Sequence, residues 1–106
     1  MKKLVGVVLL LAGLHAFAQD KSQVTVKSVD RNNGVVLITI NENGKTLELQ
    51  CNEGASFCTS VKPGDYQMVR LPKNRGLYDC QNVDLFKSDA DTTSDERIGQ
   101  YCLLSN

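Results

Sequence analysis

The chain has 106 residues, twelve Lys and Arg against twelve Asp and Glu, a single histidine and no tryptophan. Balanced charge argues against a nucleic-acid or anionic-membrane partner, since neither is drawn to a surface without an excess of positive charge. The length allows one domain, with a core so small that a further brace, commonly a cross-link, is expected.

Residues 1–18 read as a secretory leader. Lys2 and Lys3 start it, Leu4 to Leu14 form an apolar run, and Ala16-Phe17-Ala18 places small residues where a signal peptidase reads. The run is shorter than the ~20 apolar residues of a membrane span. A cut after Ala18 leaves Gln19 as the new N-terminus, which is not the cysteine that lipoprotein acylation needs. Residues 19–106 are therefore expected to be a free, soluble, exported domain without stable membrane anchoring. It would lie in the periplasm or outside the cell, and the leader suits a bacterium. Losing Lys2, Lys3 and His15 leaves ten basic and twelve acidic side chains, a net charge of −2, and no histidine.

From Val24 the pattern is one of short strands and strong turns. Val24 and Val26 alternate with Thr25 and Lys27, and Asn33-Gly34 supplies a tight hairpin turn. Val35 to Ile40 is apolar on both faces, as in a central strand. Asn43-Gly44 is a second hairpin turn, after which Leu47, Leu49 and Cys51 alternate with polar residues. The pattern breaks over residues 52–64, where Ala55 to Val61 is expected to form one short helical turn and Pro63-Gly64 suits a type II turn. Asp65 to Leu71 resumes a strand. Its apolar residues change phase between Tyr66 and Met68 on one face and Val69 and Leu71 on the other, which predicts a bulge or a barrel corner. Val83 to Lys87 and Gln100 to Leu104 are the last strands, separated by an acidic loop. Five to six such strands with no sustained helical period predict an all-β fold: a small antiparallel barrel, OB-like or SH3-like, which leaves no open edge.

Cys51, Cys58, Cys80 and Cys102 all follow the leader, and an even count in a short exported chain reads as two disulfides. Proximity favours Cys51–Cys58 and Cys80–Cys102. Loop entropy for rings of these sizes gives roughly 2.5 and 3.4 kcal/mol. The spacings fit neither the Cys-x2–4-Cys pairs of a zinc site nor a Cys-x-x-Cys redox site. No cofactor or metal is expected.

Without histidine, the Ser-His-Asp and Cys-His pairings are missing, and carboxylate or Lys/Tyr chemistry is all that remains. Two carboxylates around a substrate normally need a deep cleft, which a domain of this size has little room to build. Asp89, Asp91, Asp95 and Glu96 cluster as calcium ligands do. Counted from Asp89, however, Ser94 stands where an EF-hand loop needs Gly, and Gln100 where it needs Glu. They read as a solvated loop. Tyr66, Phe86 and Tyr101 read as core or barrel-end packing.

The expected function is therefore recognition rather than catalysis, with another exported protein or a polymer as partner. Candidate contact residues are Glu53 and Phe57, held between Cys51 and Cys58, and the basic set Arg70, Lys73 and Arg75. One alternative is a secreted inhibitor that presents the Cys51–Cys58 loop, which would lose little entropy on binding. A small carboxylate enzyme is the other.

Overall fold

Alternation along the chain governs the structure, because a residue two positions on returns to the same face of a strand. The protein is described by a computed structural model that covers residues 20–73 and 75–104. The expected leader and the cut after Ala18 lie outside the described residues. Strands β1 (Asp20–Asn32), β2 (Val35–Glu42), β3 (Lys45–Asn52), β4 (Gly64–Arg70), β5 (Gln81–Lys87) and β6 (Gly99–Leu104) close a barrel in the order β1-β2-β3-β6-β5-β4. Every neighbouring pair is antiparallel, and β4 pairs back onto β1. The β1-β2-β3 meander with β4 beside β1 makes one Greek key, and β4-β5-β6 with β3 beside β6 makes a second. The expected small closed antiparallel barrel is what forms.

Both hairpins turn at Asn-Gly. Asn33 and Asn43 each have φ 53°, and Gly34 and Gly44 have φ 80° and 84°. Two consecutive positive φ values match the right-handed twist of the flanking strands. Inside the barrel each strand contributes a fully buried side chain: Val26, Ile38, Leu49, Met68, Leu85 and Tyr101 are at most 1% exposed.

Both ends are plugged. At one, Ser22, Glu42 and Arg70 follow the inward alternation of Val24, Ile40 and Met68. Arg70 donates to both Glu42 oxygens at 2.8 and 2.7 Å, and Ser22 also donates to Glu42. At the other end the 53–63 connection crosses the opening. The Tyr101 hydroxyl donates to Thr59 O at 2.6 Å and that of Tyr66 to Lys62 O at 2.7 Å. Burial pushes the Tyr101 pKa up. Gly99 lies on the inward face two residues before Tyr101. A Cβ there would meet the Tyr101 hydroxyl and approach Phe57 O to 2.8 Å, so the crossing and the tyrosine both need glycine at this position.

Three local expectations are corrected. The phase change in β4 is not a bulge, since β4 keeps unbroken register with both β1 and β5. Val69 faces outward yet is buried, and the register shift lies in β1 between Val26 and Ser28. Residues 55–61 form no helix. Ala55 N bonds Asn52 O and Cys58 N bonds Ala55 O, giving successive turns, and the one helical turn among the described residues is 3-10 at Ser94–Glu96 in the acidic loop. Gly64 has φ 150°, far from the type II value, and already pairs with Val26.

Gly99→Ala is expected to destabilise the protein by about 1–3 kcal/mol through overpacking, read as a lower urea midpoint. A second outcome concerns acid. The Arg70 guanidinium, helped by Ser22, holds the Glu42 pKa down to about 2 from 4.5. The folded value is depressed, so this stabilisation is complete above pH 4.5 and is lost as pH falls towards 2. Glu42→Gln should cost about 1–3 kcal/mol at neutral pH, and the gap from the parent should close across that window in urea melts. A gap independent of pH would show that the charge on Glu42 is not what matters.

Candidate functional site

The outer wall of β5 and β6 is polar yet buried. Asn82, Asp84 and Gln100 face away from the barrel interior and are 2%, 7% and 4% exposed, because two long connections fold back over them. Buried polar groups are tolerated only when bonded, and these are. Gln100 Nε2 donates to Asp84 Oδ1 at 2.8 Å, and Gln100 Oε1 accepts from Leu77 N at 2.7 Å. The backbone N of Gln100 donates to Phe57 O at 2.9 Å. Arg97 lies over the same network, its Nη1 3.7 Å from Asp84 Oδ2. The connection that carries it is tied to β4 where Gln67 Nε2 donates to Ala90 O at 3.0 Å.

Two loops meet on this wall, each braced by a disulfide. Cys51–Cys58 ties the start of the crossing to β3, and Cys80–Cys102 ties the 71–80 connection to β6. Both pairings are those expected from proximity, and they fit an oxidising compartment. Asn82 grips the second loop. Its Nδ2 donates to Tyr78 O and Cys80 O, and its Oδ1 accepts from Tyr78 N at 2.9 Å. Gly76, with φ 113°, packs directly over the Asn82 side chain, where any Cβ would collide.

The loops present Phe57 and Leu77, 46% and 54% exposed, the exposed large hydrophobic side chains among the described residues. Both residues bond to Gln100 through their backbones, which brings two distant segments together there. The Phe57 ring stacks on the guanidinium of Arg97, 4.0 Å from its centroid. Such a contact contributes about 0.5–1 kcal/mol at an exposed site. Phe57 holds φ 64°, a conformation that disfavours any residue with a Cβ. Backbone strain of this kind is found where surrounding structure enforces it, often at recognition sites. Here the disulfide one residue on and the Phe57 O bond to β6 enforce it.

Of the contact residues expected from sequence, Glu53 and Phe57 lie exposed on the first loop, with Glu53 N bonded to Gly34 O at 2.8 Å. Lys73 and Arg75 are exposed on the second. Arg70 does not join them, because it points into the barrel and pairs with Glu42. Leu77, Arg97 and Gln100 were not anticipated. Leu77 is the apolar exception in a polar stretch, which is a weak signal. Gln100 occupies a strand position that normally faces water.

The acidic side chains of Asp89, Asp91, Asp95 and Glu96 are exposed, and among the described residues no three metal-ligating side chains come together. A cleft of about 450 Å³ at the crossed end is lined by Val61, Asp65, Tyr66, Lys87, Asp89 and Ile98, among others. Its two carboxylates are both exposed, and Thr25 donates to Asp65 at 3.0 Å. The buried carboxylates, Glu42 and Asp84, sit in separate places, each beside an arginine.

No protein-family model, curated protein or solved structure matches this chain.

The enforced backbone at Phe57 has a measurable signature. Phe57→Ala and Phe57→Gly both lose the stacking on Arg97, but only glycine relieves the positive φ. The glycine variant is therefore expected to be more stable than the alanine variant by about 1 kcal/mol in urea denaturation, and equal midpoints would contradict the strain.

Proposed function

We propose that this barrel is a binding module of an exported compartment, which holds another exported protein through the patch formed by Phe57, Leu77 and Arg97. One observation carries this reading: the two exposed large hydrophobic residues among the described residues come from separate segments, each braced by a disulfide and bonded through its backbone to Gln100. Aromatic and Arg side chains anchor protein interfaces more often than other types, because they offer large rigid surface at modest entropic cost. Glu53, Lys73 and Arg75 stand on the same loops as a polar rim. A protein partner fits this composition better than a polymer, which would call for a longer tract of like charge or stacked rings.

Exposure of Glu53 and Phe57 on the closed loop favours a second reading, a secreted inhibitor. Against it stands the shape of that loop. Residues 52–58 are two successive turns, and the Phe57 carbonyl is already bonded to β6, so no extended main chain is available to enter an enzyme cleft.

The test is site-specific photocrosslinking. A photoreactive side chain in place of Leu77 should capture a discrete partner in the native exported fraction, and adding Phe57→Ser should abolish the adduct. The same group in place of Lys27, exposed on β1, should not capture it. Equal labelling from both positions, or labelling indifferent to Phe57, would rule the patch out.

A further inference from the structure

The two disulfides differ in exposure: Cys58 and Cys102 are both half-buried, but Cys51 is buried and Cys80 exposed. Cys51 faces the barrel interior at 1% exposure, under the crossing that plugs that end. Cys102 faces outward on β6 opposite Asn82, and its partner Cys80 is exposed. Beside Cys80 opens a second cleft of about 390 Å³, lined by Lys73, Tyr78, Asp79, Cys80 and Gln81. An incoming thiolate needs a path to one sulfur and is drawn by positive charge. The cleft offers the path, and the exposed Lys73 ammonium offsets the Asp79 carboxylate that shares its lining.

We propose that Cys80–Cys102 is an exchangeable disulfide whose Cys80 sulfur is the point of attack for an external thiol, with a dithiol oxidoreductase as its natural reductant. The inference is independent of the recognition reading. One thiolate of the dithiol attacks Cys80 Sγ, the Cys80–Cys102 bond breaks, and Cys102 leaves as a thiolate that takes up a proton. The second thiol of the reductant then attacks the mixed disulfide and releases the Cys80 thiolate. The two electrons come from the dithiol, which ends as a disulfide. Cys51–Cys58 offers no equivalent path on the Cys51 side.

The fold is arranged to survive this cycle. Asn82 keeps its three hydrogen bonds to Tyr78 and Cys80, and Gln100 keeps its bond to Leu77 N, none of which requires the disulfide. The 71–80 connection therefore stays seated after reduction. Cys80 remains within reach of Cys102, so the bond re-forms by the reverse exchange with an external disulfide, which is itself reduced to two thiols.

The experiment treats the oxidised protein with dithiothreitol for graded times, alkylates free thiols and maps the labelled peptides by mass spectrometry. Circular dichroism is recorded on the same samples. A parallel pulse with reduced glutathione traps the mixed disulfide. Cys80 and Cys102 should be labelled at least about tenfold faster than Cys51 and Cys58, glutathione should be found on Cys80, and the spectrum should hold while they react. The double variant Cys80→Ser with Cys102→Ser should give the spectrum of the parent. Labelling of all four cysteines at one rate, glutathione on Cys102 instead, or loss of the β spectrum with the first label would overturn the proposal.

Discussion

Pairing of β4 with β1 is the contact on which the rest of the structure depends. Seven consecutive residues of β1, Asp20 to Val26, register against Gly64 to Arg70 and close the barrel. After β3 the chain stands on the far side, so it reaches β4 only by crossing an open end. That crossing caps Tyr101, requires Gly99 beneath it, and brings Phe57 next to β6. A sheet left open between β1 and β4 would need neither the crossing nor the glycine. It would also expose two unpaired edges.

Closure explains the inside of the barrel but not the outside of β5, where five consecutive residues are buried. Val83 and Leu85 fill the interior, whereas Asn82, Asp84 and Phe86 face the covering connections. An apolar outer wall would bury these loops just as well but would let them slide, because dispersion has little direction. Side-chain hydrogen bonds fix their register. Asn82 specifies where Tyr78 and Cys80 sit and the Gln100 side chain where Leu77 sits, while Phe57 O is held by the backbone N–H of Gln100. Cys51–Cys58 then closes the first loop, and Cys80–Cys102 pins the end of the second to β6.

The strands and both hairpins were legible because their causes are local. Asn33-Gly34 and Asn43-Gly44 demand positive φ, and the alternation through Leu47, Leu49 and Cys51 follows from the two-residue period. The cysteine pairing was legible because proximity in sequence set it. What could not be read is long-range. Val69 looked like a break in phase because sequence alone does not show that an outward-facing residue of β4 is buried. Gln100 looked like a water-facing strand residue for the same reason. Arg70 looked like part of a basic cluster with Lys73 and Arg75, but strand alternation turns it inward towards Glu42, twenty-eight positions earlier. Phe57 was singled out for its place between two cysteines. Its partner Leu77 could not be, because only the folded barrel brings the two loops together.

This division bears on how such a small domain can keep an apolar patch in water. Phe57 and Leu77 would be more stable turned inward, where burial of a side chain of this size contributes about 1.5–3 kcal/mol. They are prevented from turning by their own backbones, whose carbonyl and amide are committed to Gln100, and in the case of Phe57 by a positive φ. Collapse of either side chain would leave Gln100 with an unsatisfied donor or acceptor in a buried wall, which costs about as much as it gains. Gln100, through its backbone N–H to Phe57 O and its side-chain oxygen to Leu77 N, holds in place the two segments that carry these side chains.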